Sequence, residues 1–422
     1  MDQKFARITF IISIIFLVGL GSFTYGVLVG AYNFWPFSFI SSMKQAFVSL
    51  YQTRTISPVN QVVPAPPYAS RERVKRTPEL NTPGFLAIMG YDHNRAQNVI
   101  WLIDEKGIEH HVWPINYALI DPDGPSNGGD GPHGLQVMSD GSVIVNFEFG
   151  DAMARLDACG QPIWIKEGIY HHQIELNQNK EFWTWQADDH PHSQFQYLIK
   201  IDSKTGETIQ RISLKDDVIL QSPQNALAFS IPPGFEFKHF QEEPNALDQD
   251  IFHPNDIEEL TADMAVHFPQ FTPGDLLISL RHLDLIAVLD SRTHSVKWAR
   301  HGPWRYQHDP DFTEDGIISV YDNNKGHQFS KILEVDPITG KTWYRFPKAD
   351  FQYNNSSMGT HQRLPHGGEL ISVPMEGRVL MINPDGNVAF EFNNIMSKEF
   401  NANVQNAMWL PSDFFPDPPS CT

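Results

Sequence analysis

Tyr306-Gln307-His308-Asp309-Pro310-Asp311-Phe312-Thr313-Glu314-Asp315-Gly316 sets a histidine just before a short apolar run and a turn that ends in glycine. The arrangement recurs along the chain. His133 leads into Leu135, Val137, Asp140 and Gly141. His172 leads into Ile174, Leu176 and the Asn177-Gln178-Asn179-Lys180 turn. His253 leads into Ile257 and, after an insertion, Gly274, and His361 leads into Leu364 and Gly367-Gly368. A histidine at one equivalent place in five units argues for one repeated element. If such units stand around an axis, their imidazoles converge.

A second phrase runs through the same region: two or three apolar residues, Asp, a turn, then a strand often carrying Trp. It occurs around Asp104, Asp157, Asp202, Asp290 and Asp336, and with Asn at Asn383. Most copies place a glycine in the turn, as at Gly107, Gly160, Gly206, Gly340 and Gly386. Gly takes positive φ without cost and Asp can bond the turn backbone, so each phrase reads as a tight hairpin. Four of the five spacings lie near 45 to 53 residues, the period of a propeller blade. The fifth, Asp202 to Asp290, is about twice as long and holds the His253 unit and a Pro/Phe-rich insertion around Pro232 to Pro244. Read as one blade with a long loop, it predicts an all-β, six-bladed β-propeller. A hidden seventh blade is the alternative. The innermost strands of a propeller line its central channel, which would place the histidines at one mouth of it.

The chain has 422 residues and a formal net charge of −19. An acidic surface excludes the usual nucleic-acid partner, since phosphates want a basic face. With two cysteines, Cys159 and Cys421, there is neither a disulfide framework nor a cysteine metal site. One disulfide outside the cytoplasm and two free thiols both remain open.

Ile8 to Ala31 is almost wholly apolar and uncharged, long enough to span a bilayer as a helix. Lys4 and Arg7 precede it, so the positive-inside rule keeps the N-terminus in the cytoplasm and the rest beyond the membrane. A cleaved signal peptide is the alternative. Gly26 and Gly30 form one GxxxG, compatible with a homodimer through paired helices. The expected organisation is a cytoplasmic tip and anchor over residues 1–36, and a juxtamembrane helix (Ser41 to Tyr51) with a Pro-rich linker over 37–83. One transmembrane helix thus precedes a propeller over 84–422.

Imidazoles gathered at one end of a channel allow three readings. They can serve as nucleophile, base or acid near neutral pH. They can bind a metal, though neither an HExxH nor a His-x-His pattern is read as supporting this and ligands from separate blades give no diagnostic spacing. They can also be a duplicated blade motif that bonds its neighbour. Two features sharpen the choice. Asn255 lies two residues after His253, on the same side of an extended strand. Arg281 ends the apolar strand Asp275-Leu276-Leu277-Ile278-Ser279-Leu280, where its planar guanidinium could clamp a tetrahedral oxyanion such as sulfate or phosphate.

These residues carry a resemblance. His253-Pro254-Asn255-Asp256, Gly274 to Arg281, Trp298 and Gln307-His308-Asp309 follow in an order similar to the bacterial arylsulfotransferase family. So do Tyr321-Asp322-Asn323-Asn324 and Ser330 to Gly340. The likeness runs from about Leu156 to Phe392. It implies a six-bladed propeller on the periplasmic side of the inner membrane. It implies sulfuryl transfer from an aryl sulfate to a phenol without the nucleotide donor PAPS. No cofactor and no metal ligand is assigned from the sequence, and a bound metal such as Ca²⁺ stays open. The resemblance further implies that His308 is the sulfated histidine, with Arg281, His253 and His172 around the sulfuryl group and Asn255 beside them. His361 and His133 join this substrate-binding set through their places in the repeat. Tyr306, Trp304 and Phe252 could flank an aryl ring or pack within the blades. The better-known members carry a β-rich N-terminal domain where this chain has an anchor and linker.

Two rivals stand beside the enzyme. One is a non-catalytic, anchored propeller that binds a ligand or protein. The other is a quinone-dependent dehydrogenase, for which the sequence offers neither paired cysteines nor a clear carboxylate–metal site.

Overall fold

The computed structural model describes residues 3–32, 61–77, 82–123, 131–240, 249–327, 329–346, 352–365 and 367–421. Two compact units divide the chain, Met1–Asn60 and Gln61–Thr422. The first contains helix α1, Gln3–Tyr32, whose segment Thr9–Val29 has a mean hydropathy of 2.1 over 21 residues. That suits a membrane anchor or a signal sequence. The juxtamembrane helix expected at Ser41 to Tyr51 lies outside the described residues.

The second unit is a six-bladed propeller built from six antiparallel sheets. Blade 1 combines Phe85–Asp92, Gln97–Asp104 and Glu109–Ile115 with an innermost strand from the far end of the chain, Val404–Leu410. Blades 2 to 5, and the four inner strands of blade 6, each come from one continuous stretch. Their innermost strands are Pro132–Val137, Ile169–Leu176, Pro254–Glu259, His308–Phe312 and His361–Arg363. Among the described residues the long Asp202–Asp290 interval holds no extra blade. Its insertion forms a turn of helix at Leu214–Ile219 and a short helix at Pro223–Ala228. Leu214, Val218, Ile219 and Phe229 from it are buried against blades 3 and 4.

The Asp phrases join the third strand of a blade to its outer strand. Asp104, Asp157, Asp202, Asp290 and Asp336 each accept backbone N–H groups of their own turn at 2.8–3.1 Å. In blade 4 the turn has no glycine, and His294 takes the left-handed conformation there at φ 56°.

Neighbouring blades share the apolar core. Six clusters lie one at each junction, from blades 1 and 2 (Leu102, Trp113, Val145) round to blades 6 and 1 (Leu370, Val379, Trp101). Burial of these Val, Ile, Leu and aromatic side chains is what drives the blades together. The disulfide Cys159–Cys421 ties the C-terminal tail to the outer turn of blade 2.

The compact unit begins at Gln61 rather than at residue 84. Within the segment read as linker, Val62–Pro64 pairs with Phe400–Ala402, and Val74–Arg76 adds a fifth strand to blade 6 against Phe390–Phe392. Val62 and Val63 are buried, so the prolines around them did not keep this stretch off the core.

Candidate active site at the propeller axis

Each histidine enters the axis on or just before an inner strand, and for four of the five the strand is irregular there. Register shifts fall between Pro132 and Leu135, His171 and Glu175, Pro254 and Asp256, and His308 and Pro310. A bulge re-aims side chains and bends the strand. His172, His253, Tyr306 and Asp309 adopt φ of 64°, 45°, 57° and 50°. Left-handed backbone at non-glycine residues costs about 1–3 kcal/mol each and concentrates at functional sites.

Four of the five repeat histidines meet. The ring centroid of His172 is 4.4 Å from His133, 5.0 Å from His253 and 6.3 Å from His308. The fifth, His361, does not join them. It turns to a carboxylate group, bonding Asp309 Oδ2 at 2.9 Å through Nδ1 and Ser319 Oγ at 2.7 Å through Nε2. Its strand carries no register shift, so the repeat gave the right strand position but not the side-chain direction.

The protonation pattern is fixed by the partners. His308 Nδ1 faces Asn323 Oδ1 at 2.6 Å and the Tyr306 carbonyl at 3.2 Å. Asn323 is held in that orientation because its Nδ2 donates to the Asn355 and Met358 carbonyls at 2.7 and 2.8 Å. Both groups facing Nδ1 accept, so Nδ1 carries the proton and Nε2 carries the lone pair. Nε2 is buried without a hydrogen-bond partner. Burial, and then the charge of Arg281, hold the His308 pKa well below the usual imidazole value, so the ring is neutral.

Two further relays set the neighbours. Gln196 donates its amide to the Pro191 and Ser193 carbonyls, so its Oε1 accepts from His171 Nε2 at 2.9 Å. His171 Nδ1 therefore accepts from His172 Nδ1 at 2.7 Å, which leaves the His172 Nε2 as the basic atom. Burial pushes the His171 pKa down to about 3. Arg281 Nη1 donates to His253 Nε2 at 2.8 Å, and His253 Nδ1 then donates to Asp250 Oδ2 at 2.5 Å. Arg281 also sits 4.9 Å from the Tyr306 ring centroid, with Lys325 Nζ at 3.8 Å from the same ring. Burial lowers Lys325 to a pKa of about 8.

Asn255 donates Nδ2 to the Gln307 carbonyl at 2.7 Å, while its Oδ1 is buried and unpartnered. It lines a narrow cavity of about 20 Å³ with His133, His172, His308, Gln405 and Asn406, room for one water. Of the three aromatics considered for an aryl ring, Trp304 and Phe252 are core residues, 1% exposed each. Tyr306 alone borders the histidines, 5.2 Å from the His282 ring.

Sequence reading missed several members. Asn323 stood inside a quoted motif without a role. His171 forms a doublet with His172. The metal reading passed over a His-x-His pair, His190-Pro191-His192, which brings His192 to 5.5 Å from His253. Asp250 and Gln196 carried no sequence signal, since only folding sets them beside their partners.

A six-bladed propeller with an axial pocket of neutral imidazoles and one guanidinium is thus defined by fold and site. The arylsulfotransferase (ASST) family profile matches residues 134–395, more than half of the chain, and the chain belongs to that family. A comparison with curated proteins gives no match. Similar solved structures include a protein of unknown function from Bacteroides caccae, with TM-score 0.48, 11% identity, and coverage of 74% of this chain and 94% of that one. TolB from Acinetobacter baumannii gives TM-score 0.45 and 12% identity over 78% and 67%. Virginiamycin B lyase from Staphylococcus aureus gives 0.35 and 13% over 62% and 69%. At these scores the likenesses bear on neither mechanism nor substrate.

Proposed function

We propose that the protein is an anchored arylsulfotransferase that passes a sulfuryl group from an aryl sulfate to a phenol through a sulfated His308. Family membership supports sulfotransferase-like chemistry. The observation that carries the mechanism is the buried, unpartnered Nε2 of His308, with its proton held on Nδ1. That lone pair attacks sulfur, the S–O bond to the aryl group breaks, and the aryl oxide leaves. The acceptor phenol then attacks the sulfohistidine sulfur, N–S breaks, and the phenol proton passes to His172 Nε2. Splitting one transfer into two steps is nucleophilic catalysis with ping-pong kinetics.

Arg281 spends its Nη1 on His253 in the unliganded state. A sulfuryl oxygen would take over that donor, and developing negative charge would meet a guanidinium in a water-poor site. The unpartnered Arg281 Nε is free for the same oxyanion. His133 and Asn255 border the same space. Lys4 and Arg7 in the first turns of α1 and the Cys159–Cys421 disulfide favour a propeller on the oxidising side of the inner membrane.

The test is intact-mass analysis of the full chain in detergent after mixing with an activated aryl sulfate. A gain of one SO₃ group is expected, lost on adding a phenol and absent in His308→Ala. Full turnover by a folded His308→Ala protein would overturn the reading. No adduct and no released phenol across several donors would leave a binding propeller in its place.

A further inference from the structure

Below the histidines the axis changes character. Glu175 on the blade 3 inner strand, Asp256 and Glu258 on blade 4, and Asp309 and Asp311 on blade 5 bring five carboxylates to one region. One oxygen each of Glu175, Asp256 and Asp309 lie within 4.8 Å of one another. Among the described residues, no lysine or arginine forms an ion pair with Glu175, Asp256, Glu258 or Asp309. Carboxylates crowded together without a cation are costly, most of all where one is buried.

Hydrogen bonds relieve part of this. Asp309 accepts from Gln173 Nε2 at 3.2 Å and from His361 Nδ1, and Glu258 accepts the Phe312 N–H at 2.6 Å. Asp256 is different. It is 2% exposed, and its Oδ2 has no hydrogen-bond partner at all. A buried acceptor left bare beside two other carboxylates points to a missing positive group.

We propose that Glu175, Asp256 and Asp309 bind one hard divalent cation, of the calcium class, at the propeller axis. The donors are all oxygen, which suits Ca²⁺ rather than a transition metal. His361 is not a competing nitrogen ligand, because both its ring nitrogens are already engaged. A cavity of about 930 Å³, bordered by Glu175, Glu258, Asp309 and Asp311, gives the ion an entry path and room for the waters that complete its shell. The three ligands come from three blades, so the ion would pin blades 3, 4 and 5 together. It would also fix Asp309, the residue that follows His308.

This does not depend on the transfer chemistry, and binding tests it directly. The full chain in detergent is stripped with EDTA, dialysed, and titrated with Ca²⁺ alone by calorimetry, with metal content measured in parallel. One Ca²⁺ per chain and a rise in Tm with Ca²⁺ are expected. Asp256→Asn and Glu175→Gln should each weaken binding at least tenfold, while Asp263→Asn, at an exposed position, should bind as the parent does. Glu175→Gln keeps the test decisive if Asp256→Asn does not fold. The proposal falls if the stripped parent takes up no Ca²⁺ saturably. It falls equally if a folded Glu175→Gln chain binds as tightly as Asp263→Asn.

Discussion

His308 keeps its proton on Nδ1 because Asn323 Oδ1 and the Tyr306 carbonyl can only accept. Removing the first acceptor frees the ring to rotate and exchange tautomers. Asn323→Leu is therefore expected to slow formation of the SO₃ adduct by about 100-fold, with the fold retained, the size usual for losing one positioned proton-handling group. Unchanged adduct kinetics in that variant would remove the tautomer argument. The same ring sets a pH signature. Burial and Arg281 depress its folded pKa well below 6.5, so it stays the neutral nucleophile on acidification through that value. Adduct formation should hold level from pH 8 to about 5.5 in a pH-jump series. A fall with its midpoint near the ordinary imidazole pKa of about 6.5 would contradict the burial account. At this scale the sequence supplied His133, His172, His253 and His308 through their repeat position, and Arg281 and Asn255 through the motif order. It could not supply Asn323, Gln196 or Asp250, whose roles come from contacts across 15 residues, 25 residues and a three-residue turn.

At the scale of elements, the bulged inner strand does what a regular strand could not. A period of two would send His308 and Pro310 to one face and Asp309 to the other. The shift at His308/Pro310, with Asp309 at φ 50°, lets His308 face the histidine pocket and Asp309 the carboxylates. His361 sits on a three-residue strand without a shift and joins the carboxylate side only. The hairpins were legible in the sequence because their Asp-led turns are local chemistry. The strands Val62–Pro64 and Val74–Arg76 were not, because a proline-rich composition reads as linker and their partners lie more than 300 residues away. Those strands make a stability prediction. Burying Val62 and Val63 is worth about 1.5–3 kcal/mol each as an upper range. A chain beginning at residue 82 should melt roughly 5–10 °C below one beginning at Gln61, by circular dichroism. Equal melting would mean the added strands only decorate the edge.

For the whole molecule, closure is the governing event. Val404–Leu410 completes blade 1 from the opposite end of the chain, pairing with Phe85–Gly90. The Cys159–Cys421 bridge then holds the tail that follows this strand across 262 residues of sequence. Native disulfides of small secreted domains contribute about 2–5 kcal/mol, and this one restrains the segment that follows the closing strand. Cys421→Ser, or reductant on the parent, should lower Tm by several degrees, read by calorimetry. A melting curve indifferent to reductant would show that strand pairing alone secures the closure.

The amino-acid sequence by itself indicated six blades with a seventh left open, and determined the hairpin turns, the apolar N-terminal segment, the family and six of the axial residues. Each of these is written in local pattern: period, turn chemistry, hydropathy or motif order. The tertiary structure alone decided which five-fold equivalents share a pocket and which nitrogen of each imidazole holds the proton. It alone decided that the linker joins the propeller and that carboxylates from three blades face one another. Those features depend on long-range pairing and on bulges that turn side chains by a face, and neither leaves a periodic trace in the chain.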